Sequence, residues 1–210
     1  MINFKTKILF FVTGLIVLSF GISLTIKADL GAGAWDALNV GLSSLTGLTV
    51  GNWVIIMGVI LMVVNALIGK ERPDLFSLIT IFVIGFMIDF WLLIVMTNWH
   101  LEGFLIQGLS LMVGIVILGF GVSLYLQPKL SLNPVDGLMV ALQKRFKINL
   151  LTAKTITEVF ALLLAILLGG PIGIGTFIIL LCIGPVIQLF EPFAKKMLNK
   201  FTPVEAIQND

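Results

Sequence analysis

Charge is scarce in this chain. Lys, Arg, Asp and Glu make up 11% of its 210 residues and apolar side chains 59%, where a soluble domain carries roughly a quarter charged residues. That balance excludes a soluble globular protein and predicts a membrane protein. There is one cysteine, Cys182, set inside an apolar run. A disulfide framework is thereby excluded, and nothing suggests a thiol nucleophile. There is one histidine, His100, in a short loop beside Trp99 and without a companion for metal binding or a catalytic triad. No cofactor, no metal and no enzyme activity are expected.

What the chain has instead is length of apolar run. Stretches near the twenty residues that span a bilayer core lie at about Ile8–Ile26, Trp53–Gly69, Leu75–Met96, Phe104–Leu126, Thr155–Gly169 and Ile172–Phe190. Six crossings follow. Lys5 and Lys7 precede the first run as in a signal peptide, but no clear small-x-small cleavage site follows, so the run reads as an anchor. With the N-terminus in the cytoplasm, twelve of the thirteen Lys and Arg fall on the cytoplasmic side and only Lys27 outside, as the positive-inside rule requires. Both termini are therefore expected in the cytoplasm, the protein in the plasma membrane, and residues 193–210 as a cytoplasmic tail.

The chain also contains itself. FGISLTIKADLGAGAWDALNVGL (Phe20–Leu42) returns 100 residues later as FGVSLYLQPKLSLNPVDGLMVAL (Phe120–Leu142), with eleven of 29 positions identical from Gly14 to Leu42. IGFMIDF (Ile84–Phe90) pairs with IGPVIQLF (Ile183–Phe190) at an offset of 99. Each copy holds three crossings, an odd number, so the second enters the bilayer from the opposite side. The predicted fold is all-α and polytopic: two inverted repeats, 1–98 and 103–192, each with three transmembrane helices and one short helix. Inversion explains the charges, since GLSSLTGLTVGN has none and its counterpart ALQKRFKINLLTAK has four.

The short helices, about Ala34–Ser44 and Pro134–Arg145, are too brief to span and are either interfacial or re-entrant. Asn133 suits an N-cap, Pro134 the first helical position and Asp136 the third; Gly33, Trp35 and Asp36 hold the matching places in the first copy.

GAGAWDALNVGL paired with NPVDGLMVAL, then TAKTITE (Thr152–Glu158) and LLGGPIGIGTF (Leu167–Phe177) leading into IGPVIQ, resembles the YczE/YitT-type family of bacterial integral membrane proteins over nearly the whole chain. The resemblance implies a multi-pass bacterial plasma-membrane protein and assigns no activity to any residue. The first copy departs from the second where Lys70-Glu71-Arg72-Pro73-Asp74 stands in place of Gly169-Gly170-Pro171-Ile172-Gly173.

Ionisable groups are costly at membrane depth and point to function when they occur there. Asp36 and Asp136 form a polar centre if the short helices re-enter, and merely cap them near the headgroups if they lie flat. Glu158 follows Lys154 by four residues, which predicts a helical ion pair or, functionally, a proton or cation acceptor whose charge state Lys154 sets. Trp35 is a candidate pocket residue, and Asn133 joins the candidate substrate-binding set. Asp89 matches Gln188, a recurring polar position. Trp53, Trp91 and Trp99 suit an interfacial belt. The GGPIGIGT run lacks the Lys-Ser/Thr ending of a phosphate loop and reads as a tight outer turn.

Two functional readings follow. One is a small-solute or ion transporter with its site at the repeat interface, a recurrent plan for inverted repeats; the other is a non-transporting accessory or scaffold protein. The expected partners are the lipid bilayer and a small solute or cation, with no nucleic acid. A homo-oligomer is compatible with the sequence, which carries no mark of one.

Overall fold

The computed structural model describes residues 3–200. Its helices are α1 (Phe4–Lys27), α2 (Ala34–Thr46), α3 (Val50–Gly69), α4 (Phe76–Asp89), α5 (Phe104–Leu126), α6 (Pro134–Phe146), α7 (Leu150–Leu167) and α8 (Ile174–Lys200). A π-helical turn, Phe90–Val95, prolongs α4. Six of these are long and apolar enough to cross a membrane: α1, α3, α4 with its π turn, α5, α7 and α8. The protein is an all-α polytopic membrane protein. Helix α8 runs past the expected end of its span to Lys200, and the rest of the expected tail, 201–210, lies outside the described residues.

The inverted repeat is visible in reciprocal contacts. In the absence of a hydrophobic drive between helices in lipid, small residues that let backbones approach supply the packing, and α1 and α5 cross on four of them. A Cβ at Gly14 would stand 2.5 Å from Tyr125 N, and one at Gly114 2.8 Å from Thr25 Cγ2. Gly21 meets Leu118 and Gly121 meets Leu18 in the same way. Each pair maps onto its partner under the 100-residue offset, so the pseudo-two-fold axis passes between α1 and α5. These two are also the most enclosed spans, 56% and 50% buried, against 17% for α8.

The two repeats interlock. Helix α2 packs against α7, and α6 against α3, so each short helix leans on the second crossing of the other repeat. Gly41 lies against Gly170 and the Leu168 carbonyl, while Asn65 donates from Nδ2 to the Pro134 carbonyl at 2.8 Å. Ala34, Trp35, Ala37, Leu38, Leu61, Leu138, Ala161 and Ala165 form the resulting core. Phe10, Leu124, Ala194 and Leu198 cluster where both described chain ends meet, hereafter the proximal end.

The symmetry fails between the second and third crossings. Helices α3 and α4 pack closely, whereas α7 and α8 barely touch. Gly51 and Gly58 make the first approach feasible: a Cβ at Gly58 would run into the Ile81 side chain, and Gly51 lies against the Gly85 carbonyl. The equivalent positions in α7 are Leu151 and Glu158, so the small residues that admit α4 to α3 are missing there.

The distal end is closed by backbone. The Ala32 N–H donates to the Pro171 carbonyl at 3.0 Å and the Gly175 N–H to the Leu30 carbonyl at 2.7 Å. Gly31, at φ 105°, sits so close to Gly173 that a side chain there has neither the space nor the backbone conformation it needs. The GGPIG turn thus docks the second repeat onto the first, a role its sequence did not announce. At the proximal end the loop 70–75 is tied down by side chains: the Ser131 hydroxyl donates to Asp74 at 2.7 Å, and Lys144 pairs with Glu71 at 3.1 Å.

Candidate functional site

A cavity of about 380 Å³ lies at the repeat interface, walled by residues of every helix. Trp35, Asp36, Asn133, Asp136, Lys154 and Glu158, the six residues singled out from the sequence, all line it. The short helices therefore bring Asp36 and Asp136 to one space rather than to opposite headgroup surfaces. Their first turns form as the sequence predicts: Gly33 is the N-cap of α2, and Asn133 caps α6 by accepting from the Val135 N–H.

The two carboxylates have different partners. Asp136 accepts a hydrogen bond from the Tyr125 hydroxyl. Thr25, the counterpart of Tyr125 in the first repeat, donates instead to the Ile22 carbonyl one turn back in its own helix, at 2.8 Å. Among the described residues Asp36 has no hydrogen-bond donor, and its Oδ2 lies 3.0 Å from where a Cβ on Gly33 would be. Neither carboxylate accepts from a backbone N–H, so neither serves as a helix cap.

Lys154 and Glu158 share the cavity but do not pair; among the described residues the one ion pair is Lys144–Glu71. The Lys154 Nζ reaches toward α8, 3.9 Å from where a Cβ on Gly184 would lie. A helical spacing of four allows a contact without compelling it.

Asn39 was not anticipated. It is 6% exposed, one turn after Trp35, which is 8% exposed. Both line the cavity, and neither the indole Nε1–H nor the Asn39 Oδ1 has a partner. The amide lay in the segment compared between repeats, but its counterpart is Met139, so a search for recurring polar positions passes it over. Asp89 lies outside the cavity. It accepts from the Thr49 hydroxyl at 2.6 Å and the Gly51 N–H at 2.7 Å, tying α4 to the start of α3. Trp91, expected in an interfacial belt, packs edge-on against Phe20 and Phe90.

The model of a family of unknown function, DUF6198, matches residues 5–192. The chain belongs to this YczE/YitT-like family. Bacillus subtilis YyaS, described as an uncharacterized protein, is 38% identical over 190 residues, covering 90% of this chain and 94% of that protein. The uncharacterized membrane protein YczE of the same organism is 33% identical over 191 residues, 90% of this chain and 87% of its own. An uncharacterized protein of Haemophilus influenzae is 32% identical over 176 residues, 83% and 78% of the two chains. No solved structure matches. Membership in the DUF6198 family thus establishes a multi-pass membrane protein, and its functional reading rests on the cavity.

Proposed function

We propose that the chain is a bacterial plasma-membrane carrier of a small solute or ion, with its binding site in the cavity between the repeats and both termini in the cytoplasm. The observation that carries the proposal is the convergence of Asp36 from one repeat with Asp136, Lys154 and Glu158 from the other on a single cavity. Ionisable side chains are retained at membrane depth where they face a pathway and one another. Inverted repeats place such sites at their interface and expose them to each side in turn by rocking. No chemistry on the solute is required of these groups.

The test is reconstitution of the purified protein in liposomes on a solid-supported membrane, perfused with inorganic cations, amines and amino acids. At least one solute should evoke a transient current that Asp36→Asn and Asp136→Asn abolish while the variants remain folded. If no solute moves, and the double variant supports the same cellular phenotype as the intact chain, the protein is an accessory factor and the carrier reading is lost.

A further inference from the structure

Resting on the reading of this cavity as a solute site, we propose that it takes a primary organic ammonium ion with an apolar body, held by Asp36, Asn39 and Trp35 of α2. These three occupy positions i+1, i+4 and i of one helical stretch, an arc of about 100° on its surface. Two of them are unsatisfied. The Trp35 Nε1–H and the Asn39 Oδ1 are buried atoms of two residues that line the cavity, and among the described residues neither has a partner. Buried donors and acceptors are almost always paired, and an exception asks what pairs it. Here the missing partner has to offer a donor to Asn39 and an acceptor to Trp35.

The donor is fixed by what surrounds it. Asp36 shares their arc beside Asn39, and among the described residues no hydroxyl or amide donates to its carboxylate, because Thr25 directs its hydroxyl to Ile22 where Tyr125 binds Asp136. A primary ammonium has three N–H donors, enough for the Asp36 carboxylate and the Asn39 amide oxygen together. The cavity holds three carboxyls, Asp36, Asp136 and Glu158, against one lysine, Lys154.

The remaining wall excludes a bare inorganic ion. Leu18, Leu118, Val122, Ile179 and Ile183 line it, whereas a hard cation takes about six or more oxygen ligands. Among the described residues no cluster of three metal-ligating side chains exists. Leucine, valine and isoleucine instead accept a hydrocarbon or aryl body, and pockets of this size and lining suit small organic ligands. An ether, hydroxyl or carbonyl oxygen on that body receives the Trp35 N–H. The counterparts of Trp35 and Asn39 are Val135 and Met139, so the second repeat has no equivalent site and the ligand binds in one orientation.

Three probes of nearly equal shape separate the contributions: 2-phenoxyethylamine, which has the ammonium, an oxygen acceptor and an aryl body; 3-phenylpropylamine, which lacks the oxygen; and 2-phenoxyethanol, which lacks the charge. Binding is read by titration calorimetry on the full-length protein in detergent. 2-Phenoxyethylamine should bind, 3-phenylpropylamine more weakly, and the alcohol not measurably. Asp36→Asn should weaken both amines by about tenfold or more, the scale of a charge-assisted hydrogen bond. Trp35→Phe should remove the advantage of phenoxyethylamine over phenylpropylamine while leaving the latter nearly unchanged. Asp89→Asn, which removes a carboxylate that does not line the cavity, serves as the control that keeps amine affinity. Equal binding of the alcohol, undiminished amine binding in Asp36→Asn, or no binding of either amine would overturn the proposal. Amine binding without flux of any solute supports this site and removes the carrier reading. Flux of another solute without amine binding overturns this proposal and leaves the carrier standing.

Discussion

Asp89 and Asp136 show how differently two acidic residues in an apolar chain can be used. Asp89 receives a hydroxyl and a backbone N–H at the positive end of α3, an arrangement in which charge, helix dipole and hydrogen bonds act together. Asp89→Ala would leave the Gly51 N–H and the Thr49 hydroxyl unmatched, and should lower unfolding free energy by about 1–3 kcal/mol. Asp89→Asn, which still offers one oxygen, should cost less than half as much; chemical denaturation in detergent ranks the two. Equal losses would mean that packing rather than hydrogen bonding holds α4 to α3. The sequence marks Asp89 as polar and recurring, but not as a cap, because its partners lie about forty residues upstream and the bond depends on how two helices cross. Asp36 and Asp136 were legible as candidates from the repeat alone. That they share a cavity was not, since a short amphipathic segment satisfies the same pattern lying flat on the bilayer. Asn39 was illegible for the opposite reason: it breaks the repeat, and recurrence was the signal in use.

At the scale of helices, bilayer thickness made the spans readable, because every backbone polar group in lipid must be satisfied within a helix and that forces length. Packing was readable only in part. The four glycines of α1 and α5 recur at the offset and form the central crossing, whereas the contrast of Gly51 and Gly58 with Leu151 and Glu158 becomes meaningful only once α8 is seen standing off from α7. A methyl group at Gly21 would stand 2.5 Å from the backbone N of Leu118, so the helices must part to admit it. Gly21→Ala should therefore destabilise by about 1–3 kcal/mol, the usual cost of overpacking. At Gly108 in α5 an added methyl would meet nothing within 4 Å, and Gly108→Ala should be neutral or gain up to about 1 kcal/mol in helix propensity. Thermal melting of the purified variants in one detergent provides the comparison, and a tolerant Gly21→Ala would show that α1 and α5 slide freely.

For the whole molecule, the orientation proposed from the distribution of Lys and Arg is open to direct measurement. Single cysteines at Asn3, Lys147 and Asn199, introduced in a Cys182→Ala background, should resist an impermeant thiol reagent in intact cells, and one at Thr97 should react. Labelling of Lys147→Cys from outside would reverse the assignment of sides. The interlock of α2 with α7 and of α6 with α3 has a further consequence, for biosynthesis. A ribosome delivers residues 1–98 to the membrane before α7 exists, so the face of α2 that carries Ala37 and Gly41, and the whole of Leu30–Gly33, wait unclothed for the second copy. The repeats are thus units of ancestry and not units of folding: expressed as two separate fragments, each should be degraded alone and survive when both are made together.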